Sequence, residues 1–176
     1  MKQEISPMEY ASHILQALPK GILLTTRAEG RDDTMVIGWG HMGILWGKPV
    51  FIVYVRESRF TKTLLDKNPE FTVNVPLDAV DPQVIAVCGR QSGRDVDKFA
   101  LCGLTREPGR SVSVPAIREL PLTLECKVIY SQRQERNAIG QEVLDRYYAP
   151  TEADPEGDIH TAYYGLIVDS YIVKEA

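Results

Sequence analysis

The chain is 176 residues long, with 20 Lys+Arg against 24 Asp+Glu, giving a formal charge of −4. At 44% hydrophobic and 25% charged it has the composition of a globular protein, not a disordered or fibrous one, and its length predicts a single domain over residues 1–176. The mild acidity argues against a nucleic-acid partner, which would call for a basic face. It leaves room for a small anionic ligand, because a ligand site depends on local charge and not on the total.

In chain order, the first signal is a capping box. Ser6 and Glu9 have the S-x-x-E spacing, Pro7 follows the cap, Met8, Ala11, Leu15 and Leu18 share one helical face, and Pro19 ends the helix. Strands are predicted at 22–27 and 34–39, joined by a turn through Ala28–Asp32, and at 50–56, where VFIVYVR is dense in β-branched and aromatic residues. Ser58 caps a short helix that passes Leu64 and Leu65 and stops before Asn68-Pro69. A strand at 71–75 follows. Next come a helix opened by Asp81-Pro82 and closed by Gly89, and another over 95–101 closed by Gly103. The segment 122–130 alternates Leu122, Leu124, Cys126, Val128 and Tyr130 with Thr123, Glu125 and Lys127, the period-2 pattern of a half-buried strand. A helix at 139–148, a polar loop through Pro150, Asp154, Pro155 and Gly157, and a strand at 163–173 complete the chain. Six strands with few β-α-β units predict a mainly β fold, an antiparallel barrel decorated by short helices.

Three cysteines, Cys88, Cys102 and Cys126, form no C-x-x-C pair, and their odd number fits a reducing compartment. The N-terminal residues lack the apolar core of a signal peptide, and no apolar run approaches the ~20 residues that span a bilayer, so a cytoplasmic protein is expected. There is no G-x-S-x-G, H-E-x-x-H, Walker loop or G-x-G-x-x-G. His13, His41 and His160 have no metal-ligand spacing with one another or with the cysteines, so no metal is expected.

Three segments carry chemistry instead. Arg56-Glu57-Ser58-Arg59-Phe60-Thr61-Lys62 leaves a strand and enters a helix, placing two guanidiniums, an ammonium and two hydroxyls beside a helix N-terminus, which suits a phosphate. The same residues also fit a solvated helix start with Ser58 as an ordinary cap. The loop Cys88-Gly89-Arg90-Gln91-Ser92-Gly93-Arg94 leads to Lys98 on the next helix, and its Ser92-Gly93 amides could face an anion; it also fits a plain helix–loop–helix. The small positions around Trp39, from Asp33 to Gly43, would let a flat ligand lie against backbone, or the stretch is simply a core strand.

Taken in this order, TMVIGW (34–39), RESRFT (56–61), FTVNVP (71–76), CGRQSGRDVDKF (88–99) with GLT (103–105), and LECKV (124–128) resemble the flavin reductase-like family of FMN-binding split barrels, above all its flavoredoxin branch. The 88–99 stretch is the most specific of these. The resemblance implies a six-stranded Greek-key split β-barrel flanked by short helices, a homodimer, and FMN near the subunit interface. It places Thr34 and Trp39 by the flavin, and Arg59 and Thr61 on its ribityl phosphate with Lys98 nearby from the Ser92-Gly93 loop, and it counts Met35, Val36, Gly38, Arg56, Ser58, Cys88, Ser92 and Gly93 among the cofactor-binding residues. The family usually carries Asn where this chain has Asp33, and a carboxylate there would repel a reduced anionic flavin. Gly157-Asp158-Ile159-His160 resembles the family's late histidine motif with one residue inserted, which makes His160 the candidate catalytic residue on the nicotinamide or substrate face. His41, just beyond Trp39, competes for that part. Cys88 and the Tyr163-Tyr164 pair read chemically as packing groups.

The function implied is an NAD(P)H-dependent FMN reductase, with NAD(P)H as co-substrate and a small-molecule electron acceptor. The alternatives are a flavoredoxin-like electron carrier, a non-enzymatic FMN-binding module, or a related enzyme that uses bound flavin for nitro or quinone reduction.

Overall fold

A computed structural model of the protein describes residues 1–152 and 154–174. The elements, in chain order, are β1 (Lys2–Glu4), α1 (Ala11–Ala17) continued by a 3-10 turn at Leu18–Lys20, β2 (Ile22–Ala28), β3 (Arg31–Ile37), β4 (Gly40–Leu45) and β5 (Lys48–Arg56). They continue with α2 (Phe60–Lys67), β6 (Glu70–Val75), α3 (Pro82–Arg90), α4 (Lys98–Cys102), β7 (Arg106–Glu107) and β8 (Ala116–Ile117), then β9 (Leu122–Arg133), α5 (Gln141–Tyr147) and β10 (His160–Val173). Among the described residues, none of the helices is long and apolar enough to cross a membrane.

One antiparallel sheet runs β3-β2-β6-β9-β10-β5-β4, with β1 added on β10, while β7 and β8 form a separate ribbon. The fold is the expected mainly β split barrel with short helices. Its main sheet has eight strands where six were predicted. The six predicted segments are all present. The additions are β1, a three-residue strand too short to show a pattern, and β4, whose Gly40 and Gly43 hid it. The core is the sheet's inner face. Alternate positions along the strands supply it: Ile22, Leu24, Phe51, Val53, Val55, Phe71, Val73, Val75, Leu122, Leu124 and Cys126 pack together with Ile14 and Leu65 from the helices.

Helix boundaries differ from expectation for identifiable reasons. α1 begins only at Ala11, because residues 7–10 form turns on the Ser6 and Pro7 carbonyls, and its buried face is Ile14 and Ala17 instead of Met8 and Leu15. α2 starts from Arg59, not Ser58, since the Ser58 side chain is drawn to Asp158. α3 is capped as expected, with the Gln83 N–H donating to Asp81, but it runs one residue past Gly89. α4 starts three residues late because Asp97, not Asp95, accepts from the Phe99 and Ala100 amides, and it ends on Gly103 at φ 63° as expected.

Candidate functional site

Strand register brings the three singled-out segments together. On β5, Phe51, Val53 and Val55 point inward, so Ile52, Tyr54 and Arg56 share the opposite face. β10 pairs with β5 in the register His160↔Arg56 and Ala162↔Tyr54, which sets His160 beside Arg56. α2 then leaves the end of β5, and the 91–97 loop folds back over β3.

The result is an open groove with two connected chambers. One, of about 160 Å³, is lined by Asp33, Met35, Val36, Ser58, Arg59, Phe60, Thr61, Cys88, Ser92, Gly93 and Lys98, among others. The second, of about 190 Å³, is lined by Met35 to Trp39, Tyr54, Arg56, Arg59 and His160. Met35, Val36 and Arg59 belong to both. Of the residues that the resemblance placed around the cofactor, Thr34 is the one absent from the lining. Its hydroxyl is turned inward, donating to the Leu24 carbonyl and accepting from Thr25. A larger cavity of about 490 Å³ lies between α1 and the segment after β6, and shares no lining residue with the groove.

The cations of the groove are unequally available. Arg56 donates to the carbonyls of Asp158 (2.9 Å) and Tyr147 (3.0 Å). Lys62 is bound to Asp66 (2.7 Å), and Arg94 donates to the Ser58 carbonyl (3.1 Å) over the Phe60 ring. Lys98 is buried, donating to the Thr34 carbonyl (2.7 Å) with Asp33 Oδ1 3.1 Å away. Arg90 lies outside the lining. Arg59, exposed at the start of α2, is left as the groove's cation with no acceptor among the described residues. It stands where free helix N–H groups and the helix dipole also favour an anion.

The hydroxyls are engaged too. Ser58 gives its N–H (2.9 Å) and Oγ–H (2.5 Å) to the Asp158 carboxylate, and Thr61 donates to Asp33 Oδ2 at 2.6 Å. Asp33 Oδ1 faces the Lys98 ammonium at an angle that makes no hydrogen bond, so a buried oxygen keeps an unused lone pair. Gly93 passes directly over it. A Cβ there would fall 2.2 Å from Oδ1 and 2.9 Å from Phe60, so only glycine lets the loop close this tightly.

At the other end, His160 is buried among Trp39, Tyr54 and Tyr148, with ring centroids 5.2, 6.5 and 5.5 Å away. Burial, then the Arg56 and Arg59 charges, depress its pKa to about 4, so the imidazole is neutral near pH 7. Its Nδ1 is 2.8 Å from the Tyr148 hydroxyl, which leaves Nε2 for a ligand. His41 bonds Tyr54 (3.2 Å) at the rim, outside the lining. Cys88 is a buried thiol pushed up to about 12 by burial and by the adjacent Cys102, unsuited to redox chemistry as a thiolate.

Chemically, such a groove suits a flat ring against Met35–Trp39 and an anionic tail at Arg59. A family model for the flavin reductase like domain matches residues 15–176. The chain belongs to the flavin reductase-like family. Among relatives, the uncharacterized protein YddH of Escherichia coli (strain K12) is 29% identical over 142 residues, covering 78% of this chain and 74% of that protein. Flavoredoxin of Desulfovibrio vulgaris (Miyazaki F) superposes with a TM-score of 0.66 at 23% identity, over 88% of this chain and 69% of that one. The NADH:FAD oxidoreductase SgcE6 of Streptomyces globisporus C-1027 does so with a TM-score of 0.61 at 16% identity, over 87% and 74%. At these identities the two structures establish the shared fold. Within that family fold, Tyr54 and Asp33 are groove residues, and Tyr148 a support behind His160, that sequence reasoning did not assign. Tyr54 was within reach, since it alternates with Arg56 along VFIVYVR.

Proposed function

We propose that this flavin reductase-like chain binds FMN in the groove and works as an NAD(P)H-dependent flavin reductase. The observation that carries the reading is that the two chambers adjoin along Met35, Val36 and Arg59, so that the end of β3 meets an unengaged guanidinium. The family membership and the flavin-named structural relatives agree with it.

Bound FMN would supply the two-electron acceptor for a hydride from the nicotinamide. The protein's part is then to bind and orient. Arg59 and the start of α2 hold the phosphate, the end of β3 with Gly38 and Trp39 supports the ring, and Thr61 and Lys98 fix Asp33 in place. His160, neutral, offers Nε2 as a hydrogen-bond partner for the nicotinamide or substrate without adding a positive charge. Such hydride transfer needs no strong acid or base from the chain. A homodimer is part of the proposal, and it would cover Ile44 and Trp46, which are 64% and 69% exposed on and beside edge strand β4.

The test is stopped-flow mixing of the FMN-loaded protein with NADH and with NADPH. Bleaching of the flavin absorbance by at least one donor is expected. Flavin that binds but bleaches with neither would overturn the reductase reading and favour an electron carrier or binding module.

A further inference from the structure

The Asp33–Lys98 pair bears on which flavin the groove prefers. Asp33 is 2% exposed and Lys98 4% exposed, and the two charges stand 3.1 Å apart in the chamber wall. Seen from a phosphate in the groove, the pair sums to zero charge, so attraction to the ammonium is offset by repulsion from the carboxylate. Arg94 and Arg31 do not replace it, since both lie against the Phe60 ring and donate to backbone carbonyls of Ser58 and Gly93. Both Arg59 and Arg94 are exposed and screened by solvent, and Arg59 is the one of the two whose guanidinium has no acceptor among the described residues. Asp33 Oδ1 is closed in beneath Gly93, facing the Lys98 ammonium and not open solvent, so the carboxylate charge stays beside the lysine it offsets.

Resting on the flavin reading above, we infer that Asp33 is a specificity-determining residue that weakens recognition of the phosphate by neutralising Lys98, so that riboflavin is bound nearly as well as FMN. An asparagine at this position would leave Lys98 uncompensated and would favour the phosphorylated form.

The experiment is a pair of equilibrium titrations, FMN and riboflavin, on wild type, Asp33→Asn and the double variant Asp33→Asn/Lys98→Gln, followed by flavin fluorescence. Wild type is expected to favour FMN by about tenfold or less, and Asp33→Asn to widen that preference by about another tenfold, the order of one added charge-assisted contact. The double variant, with the local charge returned to zero, is expected to fall back to the wild-type ratio. A merely structural Asp33 would weaken both flavins together and leave the ratio unmoved, which overturns the inference. So does a wild-type preference for FMN of roughly a thousandfold, far above what one screened cation supplies. If Asp33→Asn does not fold, the double variant still decides: a ratio equal to wild type upholds a neutral pair, and a lost FMN preference shows that Lys98 binds phosphate and overturns it. Failure of wild type to bind either flavin would instead overturn the flavin reading itself.

Discussion

The Tyr148 hydroxyl lies 2.8 Å from Nδ1 of His160 and 3.2 Å from Oε1 of Gln134. The phenol therefore bridges the imidazole to a fixed amide, and the His160 backbone N–H reaches the same Oε1 at 3.4 Å. Whichever direction the shared proton points, Nδ1 is committed and the ring is held edge-on to the groove.

Tyr148→Phe removes that bridge and keeps the ring. A buried Nδ1 left without a partner should cost about 1–3 kcal/mol of stability, read as a lower denaturation midpoint. Turnover of the flavin-loaded protein should fall severalfold while FMN affinity holds, because Tyr148 touches His160 and does not line the groove. Unchanged turnover would show that the orientation of His160 does not matter to the reaction.

The depressed pKa of His160 makes a prediction about pH. In the unfolded chain the imidazole takes a proton near pH 6.5, and in the folded protein only near pH 4, so the unfolded state binds the extra proton between them. Stability contributed by neutral His160 is thus complete above pH 6.5 and is lost as pH falls toward 4. Between pH 7 and 4.5 the wild type should lose on the order of 2 kcal/mol more than His160→Gln, measured by urea unfolding. Parallel losses in the two proteins would contradict the assignment.

Arg59→Ala should weaken FMN binding by about tenfold, the lower end for a charge-assisted bond because the guanidinium is solvent-exposed. Riboflavin binding should change less. Lys62→Ala, whose ammonium is already paired with Asp66, should leave FMN affinity unaltered. The reverse order of effects would place the anion site elsewhere on α2.

The cysteines should differ in reactivity. Burial, joined by Cys102, raises Cys88, and burial raises Cys126 well above its ordinary value, whereas Cys102 is half-buried. Alkylation of the native protein at pH 8 should label Cys102 alone, with the other two labelled only after unfolding. Early labelling of Cys88 would mean that the groove wall opens.

Much of this site was legible in the sequence because its residues come in three contiguous runs. TMVIGW, RESRFT and CGRQSGRDVDKF each lie on one strand end, one helix start or one loop, and the sheet register then assembles them. What was not legible depends on contacts between distant positions. Nothing local shows that Asp158 takes the Ser58 hydroxyl from 100 residues away, nor that Thr61 and Lys98 converge on Asp33. The sequence suggested six clustered cations, and only the folded chain shows five of them tied up or turned away. β4 was missed for a plainer reason, two glycines in six residues, and the buried face of α1 was misjudged because the helix starts late.

A crystal structure of the protein grown with FMN would put the groove to its sharpest test. The ring is expected against Met35–Trp39 beside His160, with the phosphate within hydrogen-bond distance of Arg59. FMN seated instead in the cavity lined by His13, Gln16 and Pro76, or a groove that stays empty at saturating FMN, would contradict it.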